Sequence, residues 1–471
     1  MREVAHVPVQ ARRWAACTLL LVPILASSAC SGSNPPSGPA PSERTLTATP
    51  SSSARPASGE DWPTYHRDNA RTGLAPSVGT IGRLSVGWKA TLDGAVYGQP
   101  LVVGDTLFAA TENDTVYGLD AGTGAVRWTA HVGSPVSRRD LPCGNIDPLG
   151  ITSTMAYDSS SGLVFALAET TGAHHTLFGL DARTGAIVYT RSAEPPHGDL
   201  AAHQQRAALT VLNGRVYIAY GGLYGDCGSY IGAVVSLPIV GSGPALTYAI
   251  PTTREAGIWA PGGGSVANNR LLYSVGNGEA VSGAYDGSDS VVALQPDLQL
   301  ADRFAPAVWA DDNQKDLDLG SMTPAVVGQY VLIAGKRGIG YTARLDRMGG
   351  VGGQVAQAQV CRAFGGGAVD GDTVFVPCRD GTRAVRVDAA GQIEVRWHGP
   401  ASAAGSPVAG GGAVWVVDYD GGTLYLLDES SGAVRQQIAV GTMPHFASPT
   451  LAHGHAYLGT VTGVVAVAIT G

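Results

Sequence analysis

The sequence predicts an all-β chain folded as one eight-bladed β-propeller, and three observations predict it. A short unit recurs: Leu119 to Trp128 (LDAGTGAVRW) returns as Leu180 to Tyr189 (LDARTGAIVY) and again as Leu427 to Gln436 (LDESSGAVRQ). Eight small-residue segments, each leading into an apolar run, are spaced a few tens of residues apart, which is the mark of a repeat array or propeller. A strand near the N-terminus has no unit of its own, while the last unit lacks its outer strand.

Each copy of the unit reads as strand, tight turn, strand. The aspartate can bond the turn backbone, the glycine supplies a positive φ, and an apolar or aromatic residue restarts the next strand. Unit starts fall near Gly98, Gly150, Arg206, Gly262, Gly320, Gly365, Gly405 and Ala447, where small residues suit strands crowded round an axis. Apolar or alternating second strands follow, from Thr106 to Ala110 in the first unit to Ala456 to Gly459 in the last. The segment Leu84 to Thr91 is the unclaimed strand. Pairing it with the last unit closes the ring and leaves no open edge, so residues 61–471 form one propeller. With 65 glycines in 471 residues and only 14% charged residues, the composition favours tight turns and short strands over amphipathic helices.

Residues 1–30 read as an export signal: Arg12 and Arg13 precede an apolar run from Trp14 to Ala26 that is too short to span a bilayer comfortably. Ser27, Ser28 and Ala29 before Cys30 resemble a bacterial lipobox, in which the cysteine carries lipid, although Ser27 stands where leucine is preferred; ordinary cleavage nearby is the other reading. The expected location is the extracytoplasmic face of the cell membrane, held by a lipid anchor at Cys30. Residues 31–60 are rich in Ser, Pro, Ala and Thr and read as a disordered tether. The remaining cysteines, Cys143, Cys227, Cys361 and Cys378, are even in number in an exported chain, which argues for two disulfides. Three connectivities are possible; Cys361 and Cys378 flank an expected hairpin, so the expected pairs are Cys361 with Cys378 and Cys143 with Cys227. Net charge is −8 with the signs interspersed and no basic stripe, so nucleic acid is excluded as a partner. His174-His175 and the His453–His455 pair are expected to be exposed, with no third ligand to make a metal site.

The Asp-x-x-Thr-Gly-x-x-x-Trp unit, together with Asp61 to Gly73 (DWPTYHRDNARTG), resembles the repeat and lead-in segment of pyrroloquinoline-quinone (PQQ) proteins of the quinoprotein alcohol dehydrogenase-like superfamily. The resemblance covers residues 61–471. It implies a site in which a tryptophan forms the floor under the quinone and an asparagine later in the same blade binds calcium. Trp259 and Asn277 match that pattern. Asp318, with Asp316 as the near alternative, matches the family's catalytic aspartate and metal neighbour. Lys336 matches the basic residue that contacts the quinone oxygens, and a cation there would stabilise developing negative charge. Asp226 stands where the family brings a calcium-binding glutamate. Beside this, each residue has a plain structural reading: Trp259 as inter-blade packing, Asn277 as a turn residue, the aspartates as loop decoration.

Departures from the pattern are also present. The family's adjacent cysteines are represented by Cys143 alone, and its carboxylate-binding arginine corresponds to Leu149 or is absent. No Cys-x-x-Cys-His haem motif is present, so electrons would need a separate acceptor. Two functions are therefore expected. The first is a cofactor-free binding or scaffold propeller in the cell envelope, with a protein partner or a small molecule in its axial pocket. The alternative is a PQQ- and calcium-dependent dehydrogenase oxidising an alcohol or sugar.

Overall fold

The computed structural model of the protein describes residues 60–400 and 402–470. The export signal, Cys30 and the tether up to residue 59 lie outside the described residues. Eight sheets follow one another along the chain, antiparallel except that Gly350–Val351 adds a short parallel strand to the outer edge of the fourth. Blade 1 comprises Leu101–Val103, Thr106–Thr111, Thr115–Asp120 and Val126–His131, paired in that order. The first strands of neighbouring blades touch one another, which makes them the inner wall round the axis. These strands begin a few residues after the small-residue segments, which instead form the turns into them; Arg206 to Leu209, for example, precede Thr210–Leu212. The ring closes as expected. Leu84–Thr91 runs antiparallel to Gly463–Ile469, from Leu84 opposite Ile469 to Thr91 opposite Gly463, with a bulge at Gly87.

The recurring unit also locks blade to blade. Within each turn the aspartate accepts from the backbone three residues on: Thr123 N to Asp120 Oδ1 at 2.9 Å, Thr184 N to Asp181 Oδ1 at 2.8 Å, Ser431 N to Asp428 Oδ1 at 3.0 Å. The tryptophan that ends a unit packs on the following blade's turn. Trp88 lies on Gly124, Trp128 on Gly185 and Trp397 on Gly432, where any side chain would stand inside the indole. Each indole N–H then donates into that turn, to Ala121, Ala182 and Glu429 carbonyls at 3.1, 3.1 and 2.9 Å. Glycine is required twice there, by its positive φ and by the ring above it.

Among the described residues three short elements depart from the all-β expectation, two of them single 3-10 turns at Arg138–Asp140 and Leu200–Ala202. Trp309–Lys315 is a short α-helix between blades 4 and 5. Pro306 precedes it, Asp311 and Asp312 lie in its first turn and Lys315 in its last, charges that match the helix dipole. Lys315 pairs with Asp311 at 2.6 Å, and Arg337 reaches over from blade 5 to Asp311 and Asp312.

The lead-in segment closes one end of the axis. Trp62 N donates to Val102 O of blade 1 at 2.7 Å, Pro63 O accepts from Tyr157 of blade 2, and Asn69 O from Val266 of blade 4. Thr72 O and Gly73 O accept from Val369 and Ala409 of blades 6 and 7, while His66 Nε2 meets Ser448 Oγ of blade 8 at 3.1 Å. Arg71, 2% exposed, reaches blade 3. The alternation of strand direction puts the turns between second and third strands, and the leads into the inner strands, at the opposite end of the ring. The candidate site lies there.

Candidate functional site

Trp259, Asp318 and Lys336 come from three different leads and turns and meet at that end. Lys336, after the second strand of blade 5, holds Nζ 5.6 Å from the Trp259 ring centroid and 2.9 Å from Asp318 Oδ2. Asp318 is fully buried; its Oδ1 accepts from Gly320 N at 2.7 Å. Asp316, left-handed at the helix C-terminus, pairs with the same lysine from the exposed side. Burial raises the Asp318 carboxyl and Lys336 pulls it down, with the net shift upward. Burial works against the Lys336 ammonium, but Asp318 and Asp316 outweigh it and keep the lysine charged. Two glycines make this approach possible. A Cβ on Gly276 would lie 3.3 Å from Trp259 Nε1 and 3.4 Å from Asp318 Oδ1, and one on Gly320 would lie 2.6 Å from Gly276 Cα.

Asn277, next to Gly276, turns its amide nitrogen to Glu255 Oε2 at 3.2 Å. Sequence reasoning missed Glu255; its signal is weak, an acid four residues before Trp259 on a lead otherwise rich in glycine and proline. The side chain of Asp226 is engaged by Tyr230 Oη, which donates to Oδ1 at 2.6 Å. Burial raises the Glu255 carboxyl; Arg254 opposes this, and Asp226, Glu279 and Asp316 push it further up. Among the described residues no three His, Cys, Asp or Glu side chains converge as a metal cage.

Both disulfides are present: Cys143 with Cys227, and Cys361 with Cys378. The first staples the connection between blades 1 and 2 to the turn of blade 3, one residue from Asp226. Leu149, on that connection, is buried in an apolar cluster with Val136, Leu141 and Leu223. An arginine there would break the cluster.

Beside Trp259 the axial end carries groups that the sequence did not mark. Phe446 lies 6.1 Å from Trp259 by ring centroids. The Arg206 guanidinium sits 5.0 Å from the Phe446 ring and 5.2 Å from that of Tyr97. These side chains, with Tyr65, Thr152 and Ser448, line a narrow axial pocket. Behind it, Glu112 accepts from Gly150 N at 2.8 Å and Thr152 Oγ1 at 3.1 Å, and burial lifts its carboxyl to about 8. Next come Asp114, fully buried, and Glu169, which approaches His175 Nε2 at 3.7 Å. His175 is fully buried, not exposed as its loop-like sequence suggested: its Nδ1 lies 3.1 Å from Glu194 Oε2, and it meets the Tyr220 ring edge-on. His174 and the pair His453 and His455 stay at least partly exposed.

Asp114 supplies a test. Burial, then the like charges of Glu112 and Glu169, lift it from 3.8 to about 8, and neither of its oxygens has a partner. A carboxyl raised on folding contributes stability that is present below its unfolded pKa and is lost as pH climbs through the folded one. Asp114→Asn is expected to abolish that loss and to be about 1–3 kcal/mol more stable than the parent at pH 8, with little difference at pH 4. Urea melts at both pH values decide it; parallel curves would refute the assignment.

Comparison with known proteins matches this picture. Residues 85–221 match the family described as outer membrane protein assembly factor BamB. Polyvinylalcohol dehydrogenase of Sphingopyxis sp. is 28% identical over 54% of this chain and 40% of its own length. The dehydrogenase subunit of the quinone alcohol dehydrogenase of Gluconobacter oxydans is 25% identical over 50% of this chain and 36% of its own. The chain thus spans well under half of these curated relatives. Among solved structures, the quinohemoprotein alcohol dehydrogenase from Comamonas testosteroni superposes with a TM-score of 0.64 at 16% identity, over 87% of this chain and 80% of that one. BamB from Moraxella catarrhalis does so at 0.55 and 17%, over 83% and 98%. With its turn-and-tryptophan unit and closed ring of eight sheets, the chain shares its fold with these quinoprotein dehydrogenases and assembly factors, and residues 85–221 resemble the assembly-factor family.

Proposed function

We propose that this protein is a quinone-dependent dehydrogenase that oxidises an alcohol or sugar hydroxyl outside the cytoplasm, tethered through Cys30. One observation carries the reading: a buried carboxylate, Asp318, is held against Lys336 beside the face of Trp259, at the axial end of the ring. A flat aromatic face suits a planar cofactor, and a carboxylate shifted upward toward neutrality suits a general base. Asp318 Oδ2 would take the hydroxyl proton. Lys336 would hold its positive charge beside the oxygen on which negative charge develops. A bound quinone supplies the two-electron acceptor that the side chains lack. Asn277 and Glu255 are the oxygen donors for a calcium ion, and the crowding of like charge on Glu255 favours a cation there. Calcium takes about 6–8 oxygens, so ligand and water would complete the shell. Among the described residues no helix is long and apolar enough to cross a membrane, in keeping with a tethered propeller.

The second reading, an envelope scaffold without cofactor, is supported by the missing adjacent cysteines and by the match of residues 85–221 to the assembly-factor family. Titration of residues 43–471 with PQQ, followed by tryptophan fluorescence with calcium and with chelator, separates the two. Saturable, calcium-dependent binding that Asn277→Ala weakens is expected. In the loaded protein, Asp318→Asn is expected to lower turnover of alcohols with an artificial acceptor about 10²–10⁴-fold while the quinone stays bound. Absence of binding under both conditions sinks the enzyme and leaves the scaffold.

A further inference from the structure

Four acids and a histidine form a largely buried line that the reaction proposed above does not use. Glu112 and Asp114 stand in the turn between Thr106–Thr111 and Thr115–Asp120 of blade 1. Glu169 lies near the end of the second strand of blade 2, Leu163–Thr170. His175 lies near the start of the third, His174–Asp181, opposite Glu169 in the ladder. Glu194 follows the outer strand, Ile187–Ser192. The inner acids meet round Gly150. Its N–H donates to Glu112 Oε2 at 2.8 Å, its carbonyl accepts from Glu169 N at 3.2 Å, and a Cβ on it would lie 2.7 Å from Asp114 Oδ1. From there the line runs outward. Glu169 Oε2 lies 3.7 Å from His175 Nε2, and His175 Nδ1 lies 3.1 Å from Glu194 Oε2. Glu112, Asp114, Glu169 and His175 are buried, whereas the Glu194 side chain is 27% exposed and reaches solvent.

The inner end opens on the axial cavity. Thr152 lines that cavity and donates its hydroxyl to Glu112 Oε2 at 3.1 Å. The cavity has room for about one water molecule, enough for a proton carrier.

As a purely structural core this line is poor. Glu112 Oε1, both Asp114 oxygens and His175 Nε2 are sealed from water without a hydrogen-bond partner. Acids gathered in the interior are tolerated when most of them hold protons. Burial, reinforced by like charge, lifts Glu112 and Asp114 to about 8, and burial raises Glu169 as well. Burial works against the Glu194 carboxylate too, but His175 and His174 more than offset it and hold it below its ordinary value. The line therefore has protonated acids inside, a carboxylate at the surface and an imidazole between them, which are the parts of a relay. The other charged and titratable groups that face it are Arg206 and Tyr97 beside Glu112, and Tyr220 and His203 of blade 3 beside His175. Arg206 tempers the rise of Glu112 without reversing it. Tyr220 donates its hydroxyl to the Ala193 carbonyl, so it closes the flank of His175 and does not extend the line.

We propose that Glu112, Asp114, Glu169, His175 and Glu194 form a proton path between the axial cavity and the outer solution. A proton passes from Glu112 through Asp114 to Glu169. The imidazole takes it at Nε2 and releases one from Nδ1 to Glu194, which loses it to water. Each carboxyl gives up one proton and takes another from the group inward of it. Only protons move, so the path needs no oxidant or reductant. It goes beyond the quinone reading and does not rest on it; in such a dehydrogenase it would carry away protons released at the axial end.

The test follows hydrogen–deuterium exchange of the protonated carboxyls by infrared spectroscopy, in the full chain without quinone, after rapid mixing into D2O at pH 6. The C=O bands of Glu112 and Asp114 are assigned by their loss in Glu112→Gln and Asp114→Asn. In the wild type both bands are expected to shift within the mixing time. In His175→Phe and in Asp114→Asn the Glu112 band is expected to shift about 10²-fold more slowly. Backbone amide exchange in Leu163–Thr170 and His174–Asp181 is expected to stay as in the wild type, which separates a closed path from a loosened blade. A Glu112 band that shifts as fast in either variant as in the wild type overturns the path, because the proton then leaves by another way. Absence of any protonated carboxyl band at pH 6 overturns it too. Should His175→Phe fail to fold or loosen those strands, Asp114→Asn, expected above to be the more stable form, decides by itself.

Discussion

Lys336→Met is expected to destabilise the propeller by about 3–5 kcal/mol near pH 7.5, because it leaves Asp318 buried without its cation. The lysine is 14% exposed at its side chain and Asp318 not at all, so water cannot replace the lost charge. The loss should depend on pH in a defined sense. Asp318 is already shifted upward by burial, and Lys336 is what restrains it. Without the lysine the carboxyl rises further, and a raised carboxyl contributes stability at low pH that is lost as pH climbs. The variant should therefore approach the wild type near pH 4 and fall away from it above neutrality. The double variant Lys336→Met with Asp318→Asn should recover most of the loss, since removing both charges leaves nothing uncompensated. Urea unfolding across pH 4–8 checks all three statements. A loss that is flat with pH, or that the double variant does not recover, would mean that lost packing of the lysine stem, not the buried charge, dominates.

Arg71→Met is expected to cost a similar amount, about 3–5 kcal/mol, and to loosen the floor of the axial pocket. Arg71 donates to Thr64 Oγ1 at 2.6 Å, Tyr65 O at 3.1 Å, Leu209 O at 3.1 Å and Thr210 Oγ1 at 2.7 Å. It thereby ties the lead-in segment to blade 3 from a left-handed backbone position, φ 62°. Methionine keeps most of the volume but removes four donated bonds and leaves the Tyr65 carbonyl without this donor, while the Thr64 hydroxyl keeps Leu209 O at 3.4 Å and the Thr210 hydroxyl keeps Gly264 O at 3.3 Å. Tyr65, on the same segment, lines the pocket, so ligand affinity should fall with stability. Native-state hydrogen exchange at Trp62, Val266 and Ala409 is the direct check. Protection there should drop before that of the outer strands; uniform loss across all blades would contradict a local role for Arg71.

The sequence by itself determined the parts that depend on short-range chemistry. Turn residues and strand alternation repeat within about ten positions, so eight blades and the strand Leu84–Thr91 that closes them could be read directly, whereas the four cysteines allowed three connectivities, of which the structure has Cys143 with Cys227 and Cys361 with Cys378. The gathering of Trp259, Asp318 and Lys336 could be anticipated from a family resemblance, whereas their spacing along the chain carries no sign of it. What only the tertiary structure decided depends on which residues the ring brings to its axis. Each tryptophan of the repeat serves the following blade's glycine, a contact invisible within one unit. Glu255 meets Asn277, while Tyr230 engages Asp226. His175, in a stretch that reads as an exposed loop, is sealed among Glu169, Glu194 and Tyr220 from neighbouring segments. The lead-in segment crosses the axis and Arg206 meets Phe446, 240 positions away, only once the ring is shut. Local propensity is settled by neighbours in the chain, whereas burial and charge at the axis are settled by neighbours in space, and closing eight blades round one point makes the two sets of neighbours almost disjoint.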